Sequence, residues 1–306
     1  MAELHFPVML TECIELLDIK PDGTYIDGTF GRGGHSREIA KKLSPSGKLY
    51  CIDRDETAIA YGRETFSEVS NVCFIKGDFC DIPDLVFEKV DGILLDLGVS
   101  SPQLDESERG FSYMADGPLD MRMDRSQSLT AKDVVNGWSF EELRRIISEY
   151  GEERYAGKIA SAIVREREKR EISSTLQLVD IIKSAMPAPA LREKQHPAKR
   201  TFQGIRIAVN NELGEIEDFL SKLPDMLKVG GRAVIITFHS LEDRLVKHAF
   251  RKAENPCTCP PQIPVCVCGK KPTLHVVSAK PYLPTKDEID KNPRSRSAKV
   301  RVAERL

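Results

Sequence analysis

The stretch from Tyr25 to Asp53 restricts the fold more than any other. The apolar run Tyr25-Ile26 ends in Asp27, and the glycine-rich segment Gly28-Thr29-Phe30-Gly31-Arg32-Gly33-Gly34 then opens a helical pattern with Ile39, Ala40 and Leu43 on one face. After the turn Ser44-Pro45-Ser46-Gly47, a second run, Leu49-Tyr50-Cys51-Ile52, ends in Asp53. Strand, glycine turn, helix and strand make a βαβ unit, so the chain reads as α/β with a parallel sheet. Gly31, Gly33 and Gly34 allow close backbone approach and positive φ, and a helix N-terminus offers N–H groups. Asp53, about 20 residues beyond the last glycine, stands where a carboxylate accepts hydrogen bonds from ribose hydroxyls. The unit is expected to bind a nucleoside-bearing cofactor.

A dinucleotide site requires G-x-G-x-x-G, and Gly31-Arg32-Gly33-Gly34-His35-Ser36 lacks the last glycine. Asp27, just before the turn, would repel a pyrophosphate but suits a cofactor with an amino group and no phosphate. S-adenosylmethionine meets both conditions, and an NAD-dependent oxidoreductase becomes the weaker alternative. The pattern Asp27-x-x-x-Gly31-x-Gly33 resembles the first motif of class I methyltransferases, with Thr29 where a further glycine is usual. An ordinary strand-to-helix turn would account for the glycines alone, but not for Asp27 and Asp53 at both strand ends.

With 306 residues, 41% of them hydrophobic and 30% charged, the chain has the make-up of a globular protein with a sizeable core. The formal net charge of -2 argues against a uniformly polyanion-binding surface, so any nucleic-acid surface must be local. No charged-then-apolar leader and no bilayer-length apolar run is present, which makes a cytoplasmic location, away from membranes, the expectation.

Beyond Asp53 the alternation continues. A third strand, Val72-Cys73-Phe74-Ile75, precedes Asp78 and Phe79, placed to meet an adenine by hydrogen bond and stacking, or else a plain turn with a core phenylalanine. A fourth, Val90 to Leu95, ends in Asp96 and runs into Gly98-Val99-Ser100-Ser101-Pro102-Gln103-Leu104, the candidate catalytic loop. From Asp105 to Arg200 the strand pattern stops. Phe140, Leu143, Ile146 and Ile147 mark one helical stripe, and Ala156, Ile159, Ala160 and Ile163 another. The runs Arg165 to Arg170 and Lys194 to Arg200, with Phe111, Tyr113 and Phe202 nearby, read either as solvated helix faces or as an RNA grip. A helix over Ile205–Leu220, a turn at Leu227 to Gly231, a buried strand Arg232 to Phe238 and a last strand at Ala298 to Ala303 complete the pattern. The expected organisation is a discontinuous methyltransferase-like domain, 1–104 and 201–306, with a helical substrate-recognition domain, 105–200, inserted. The tail from Gly269 carries ten Lys/Arg against four Asp/Glu, suited to a phosphate-bearing partner or to a solvated edge.

Of eight cysteines, Cys13, Cys51, Cys73 and Cys80 stand singly among apolar neighbours and read as buried, reduced thiols. Cys257, Cys259, Cys266 and Cys268 form C-x-C, six residues, C-x-C. Four thiols in one loop match a structural zinc site in number, with uncoordinated or redox-active thiols as the alternative.

Three longer motifs add to this: Asp27 through Ser36, Gly92 through Leu104, and Phe238-His239-Ser240-Leu241-Glu242-Asp243-Arg244. With Arg109-Gly110-Phe111-Ser112 and Asn292-Pro293-Arg294-Ser295-Arg296-Ser297 they resemble, over nearly the whole chain, the MraW family of bacterial small-subunit ribosomal RNA cytosine-N4-methyltransferases. The resemblance implies a class I, Rossmann-like fold. It also implies methyl transfer from S-adenosylmethionine to the exocyclic amine of a decoding-region cytidine in 16S rRNA, within the small ribosomal subunit. Carried over by position, Gly33, Gly34, His35, Asp53, Phe79, Asp96 and Gln103 would contact the cofactor. At the reacting centre, Asp96 and the Ser100-Ser101-Pro102 turn could supply acceptors for the amine protons by side chain or carbonyl; the turn resembles the short Ser-Pro motif of amino-methyltransferases, with Gln103 and Leu104 where a second proline and an aromatic are common. A carbon-5 methyltransferase would need a nucleophilic thiol beside this loop, and a non-catalytic RNA-binding factor would use the basic segments alone.

Overall fold

The computed structural model describes residues 7–260, 265 and 267–306. Seven strands form one sheet: β1 (Thr24–Asp27), β2 (Lys48–Asp53), β3 (Val72–Lys76), β4 (Val90–Asp96), β5 (Leu227–Thr237), β6 (Leu274–Val276) and β7 (Lys299–Arg305). They lie in the order β3-β2-β1-β4-β5-β7-β6. The first five are parallel, while β7 runs antiparallel to both β5 and β6. This is the class I, Rossmann-like methyltransferase sheet.

The central strands are apolar at nearly every position because both faces are covered. Ile26, Ile93, Leu95, Ala233, Ile235 and Ala303 point to one side, packing with Ile216, Phe219 and Leu223 of helix Glu212–Met226 and Val246 and Phe250 of helix Ser240–Glu254. Their neighbours Tyr25, Leu94, Val234, Ile236, Val300 and Val302 point to the other, against Cys13 and Ile14 of Leu10–Leu16, Ile39 of Gly34–Lys42 and Ala58 of Glu56–Thr65. The period-2 alternation of a strand thus divides one sheet between two cores.

The chain forms two compact units, Met1–Gly98 with Leu213–Leu306, and Val99–Glu212. The second is helical. Leu143, Ile146 and Ile147 of helix Phe140–Glu149, Ile159 and Ile163 of Ala156–Arg167, Leu178 and Ile182 of Thr175–Ala185, and Phe202 and Ile205 of Lys199–Asn210 build its core. Two helix starts are legible as reciprocal caps, Thr130 with Asp133 and Ser139 with Glu142.

This unit is wider than the 105–200 of the sequence reading. The apolar periodicity expected for one helix over Ile205–Leu220 crosses a break at Asn211, whose φ of 50° ends Lys199–Asn210 before Glu212–Met226 begins. The residues Leu227 to Gly231, expected as a turn, belong to β5, with Gly230 at φ 76° and an irregular register opposite Val90–Gly92. β6 was not anticipated, being only three residues long. Among the described residues no helix is long and apolar enough to cross a membrane.

Candidate functional site

Strand order reverses direction between β1 and β4, and in an open α/β sheet a ligand crevice lies at the carboxyl ends of strands at that point. Four carboxylates belong to this edge of the sheet unit. Asp27 ends β1, Asp53 ends β2, Asp96 ends β4, and Asp78 follows β3 by two residues.

Asp27 is buried and tied into the turn: its Oδ2 accepts the Ser36 hydroxyl at 2.6 Å and its Oδ1 the Thr29 N–H at 3.2 Å. Burial lifts its pKa to about 6 against these bonds. Asp53 accepts the Gly31 N–H at 2.8 Å through Oδ2 and the Asp55 N–H at 2.8 Å through Oδ1, so it fixes the glycine loop to the end of β2. Burial raises it, too, to about 6.

Asp96 differs from both. Its Oδ1 is sealed from solvent and has no hydrogen-bond partner, although about a quarter of the side chain (27%) stays exposed. Burial first, then the charges of Asp27 and Glu242, push its pKa up to about 8. The Asp96 N–H donates to the Thr29 hydroxyl at 2.6 Å. Thr29, the residue that departs from the glycine-rich pattern, therefore clamps the β1 loop to the end of β4.

His35 lies in the first turn of helix Gly34–Lys42, only 5% exposed. Its Nε2 is 3.1 Å from the Val8 carbonyl oxygen, which assigns the ring proton to Nε2 and leaves the Nδ1 lone pair 3.9 Å from Asp96 Oδ2. Burial drives its pKa down to about 4, so the pair is a neutral imidazole beside a carboxyl group rather than a salt bridge.

The glycines have reasons within the chain. Gly33, at φ 69°, caps the helix, and a Cβ there would meet the Phe30 ring at 2.6 Å; one on Gly34 would meet Pro7 Cγ at 2.1 Å. Phe79 opens a one-turn helix after β3 and stands edge-on to Phe219 at 5.8 Å, half-buried. Beside it, Asp78 pairs with Arg54, which also holds Glu215, while Asp78 Oδ1 is buried with no hydrogen-bond partner. Arg54 escapes sequence reasoning because Glu215 is 161 residues away.

In the helical unit, Gln103 is buried at the third position of helix Ser101–Asp105, where its Oε1 accepts the Ser100 N–H at 3.0 Å. The same side chain that the resemblance carries to the cofactor thus caps its own helix. Ser101 is the first residue of that helix. Phe111 and Phe202, considered as base-stacking residues, are core side chains 5% and 3% exposed. Tyr113 is half-buried and stacks on His196, ring centroids 4.7 Å apart, at a cavity of about 490 Å³ lined also by Met114, Lys194 and Lys199. The run Arg165 to Arg170 is a solvated face: Arg165 and Lys169 pair with Glu166, and Arg167 donates to the Val135 and Trp138 carbonyls.

The motif Phe238 to Arg244 proves largely architectural. His239 and Glu242 form the cap of helix Ser240–Glu254, and Asp243 takes Arg301 at 2.6 Å and Lys299 at 3.1 Å from β7. Part of the basic tail is thereby engaged inside the fold, as is Arg305, which donates to the Thr273 carbonyl. Of the four single cysteines expected to be buried, Cys13 and Cys51 are, whereas Cys80 is half-buried and Cys73 is exposed on β3, a strand with a neighbour on one side only. Of the four clustered cysteines, Cys266 lies outside the described residues, and the sulfurs of Cys257, Cys259 and Cys268 lie within 4.8 Å of one another.

Sheet order, glycine loop and carboxylates at the strand ends define a class I S-adenosylmethionine-dependent methyltransferase. A family model described as the MraW methylase family matches residues 2–306, and the chain belongs to that family. Among similar curated proteins, the Ribosomal RNA small subunit methyltransferase H of Acetivibrio thermocellus is 54% identical over 309 residues, covering 99% of each chain. Those of the same name from Caldicellulosiruptor saccharolyticus and Clostridioides difficile are 53% and 51% identical, again over 99% of each chain.

Proposed function

We propose that the chain transfers the methyl group of S-adenosylmethionine to the exocyclic N4 of a cytidine in the decoding region of 16S rRNA, in the cytoplasm, with the small ribosomal subunit as substrate. The observation that carries this reading is the unpartnered, buried Asp96 Oδ1 at the end of β4. A buried acceptor without a donor costs about 1–3 kcal/mol, a cost removed when a ligand N–H arrives.

The residues fit this cofactor. Four carboxylates at one sheet edge suit a molecule bearing a sulfonium and an ammonium and no phosphate. The unpartnered Asp78 Oδ1 is an acceptor for an adenine amine, with Phe79 next to it in sequence. Asp53 retains lone pairs for ribose hydroxyls beyond the two N–H groups it accepts. Gly33, Gly34 and His35 form the first turn over which the amino-acid end would lie. When bound, the cofactor supplies an electrophilic methyl on a positively charged sulfur.

Asp96 would accept an N–H of the target amine and orient the nitrogen lone pair along the breaking C–S axis. On methylation the amine gives up one proton, which Asp96 would take in its ionised form, a form that a positively charged cofactor beside it would favour by pulling its pKa down from about 8. His35, neutral and held by Val8, keeps that carboxylate from being locked into an ion pair. The role of Gln103 rests on the family resemblance, and that of Ser101 on the likeness of its turn to the Ser-Pro motif of amino-methyltransferases. On the substrate side, Tyr113 stacked on His196 beside Lys194 and Lys199 is the surface most suited to a base and its phosphates.

Small ribosomal subunits from a strain lacking the gene, incubated with methyl-labelled S-adenosylmethionine and then digested to nucleosides, test the reading. Label on cytidine N4 is expected, and Asp53→Ala should abolish it. Label on carbon 5 would move the chemistry to a cysteine, and unlabelled subunits together with measurable cofactor binding would assign another acceptor.

A further inference from the structure

The segment between helix Ser240–Glu254 and β6 carries no regular secondary structure among its described residues, yet it holds half of the cysteines of the chain. It has little apolar packing to order it: Val265 and Val267 are 70% and 76% exposed. Its far end is anchored, since the Thr273 N–H donates to the Ala253 carbonyl and the Thr273 carbonyl accepts from Leu306 and Arg305. A loop of this kind needs a cross-link or a metal to acquire one structure.

The sulfur positions favour a metal. Cys257, Cys259 and Cys268 place their Sγ atoms within 4.8 Å of one another, and Cys257 and Cys268 are 3.9 Å apart. A tetrahedral zinc with Zn–S of about 2.3 Å separates its sulfurs by about 3.8 Å, whereas a disulfide brings them to about 2.05 Å. The Val267 N–H donates to Cys259 Sγ at 3.3 Å. The sequence supplies a fourth thiol, Cys266, at the position that makes the two C-x-C halves equivalent.

We propose that Cys257, Cys259 and Cys268 hold one structural zinc ion as three of its ligands. Each thiol passes its proton to solvent as it ligates, and the metal changes no oxidation state. The site fastens the end of helix Ser240–Glu254 to the start of β6, independently of the methyl-transfer chemistry.

The full-length protein, purified under reducing conditions without added metal, should contain about one zinc per chain by elemental analysis. Cys257→Ser, Cys259→Ser and Cys268→Ser should each lose it, while Cys80→Ser keeps it. Replacement by cobalt should give the strong visible absorption of tetrahedral cobalt thiolate, a readout independent of how well each variant folds. Metal-free wild-type protein with all four thiols titratable, or with two disulfides in the loop, would overturn the proposal.

Discussion

At the scale of single residues, the site is controlled by how strongly burial opposes charge. The folded protein keeps a proton on Asp96 up to about pH 8, whereas an unfolded chain releases it near pH 4. Between those values the native state binds more protons than the unfolded one, so ligand-free stability falls as pH rises. Asp27 and Asp53, raised to about 6, contribute the same trend over a narrower window. Asp96→Asn removes the largest part of it. Thermal melts of the variant should exceed wild type by a margin at least ~2 °C larger near pH 8 than near pH 5. Parallel curves would show that the carboxyl is already ionised at neutrality. The variant should also lose about a hundredfold or more in kcat, since it replaces a proton-accepting group by an amide. Asp27, Asp53 and Asp96 were legible in sequence because each terminates an apolar run. Thr29 and Arg54 were not, since their partners Asp96 and Glu215 are neighbours only through the sheet.

At the scale of elements, the glycine turn shows that a loop conserving space for a ligand can equally conserve space for itself. Gly34→Ala sets a methyl against Pro7, and Gly33→Ala sets one against Phe30 from a left-handed backbone. Either should lower unfolding free energy by about 1–3 kcal/mol in denaturant titrations, with no cofactor present. If stability is untouched and only S-adenosylmethionine binding suffers, the turn is shaped by the ligand alone. Sequence periodicity found the five parallel strands because each is an apolar run, most completely buried in β1, β4 and the second half of β5. It blurred where apolar spacing runs across a boundary, as at Asn211, and where glycines sit within a strand, as at Gly230 and Gly231. The motif at Phe238 to Arg244 was conspicuous in sequence, but its work, capping a helix and holding β7 through Asp243, depends on Arg301, 58 residues on.

At the scale of the whole molecule, two compact units in one chain predict two responses to heat. Ile146→Ala empties space in the helical core and should destabilise that unit by about 2–5 kcal/mol. S-adenosylhomocysteine at one hundred times its Kd should stabilise the unit that binds it by about 2.7 kcal/mol. Calorimetry of the variant should then resolve two transitions, with the ligand moving the later one. A single transition that shifts as a whole would mean that the units unfold together.

The sheet also has an order of arrival. β7 is the last strand along the chain, yet it lies between β5 and β6, both read from the message earlier. Until residues 299–305 emerge from the ribosome, two strands wait with unpaired edges, and such edges recruit other chains. A message cut short anywhere before this strand would therefore yield an aggregating product rather than a weakened enzyme. The pairing of β5 with β6 through the sheet thus waits on Lys299–Arg305, the last of the described strands to be made.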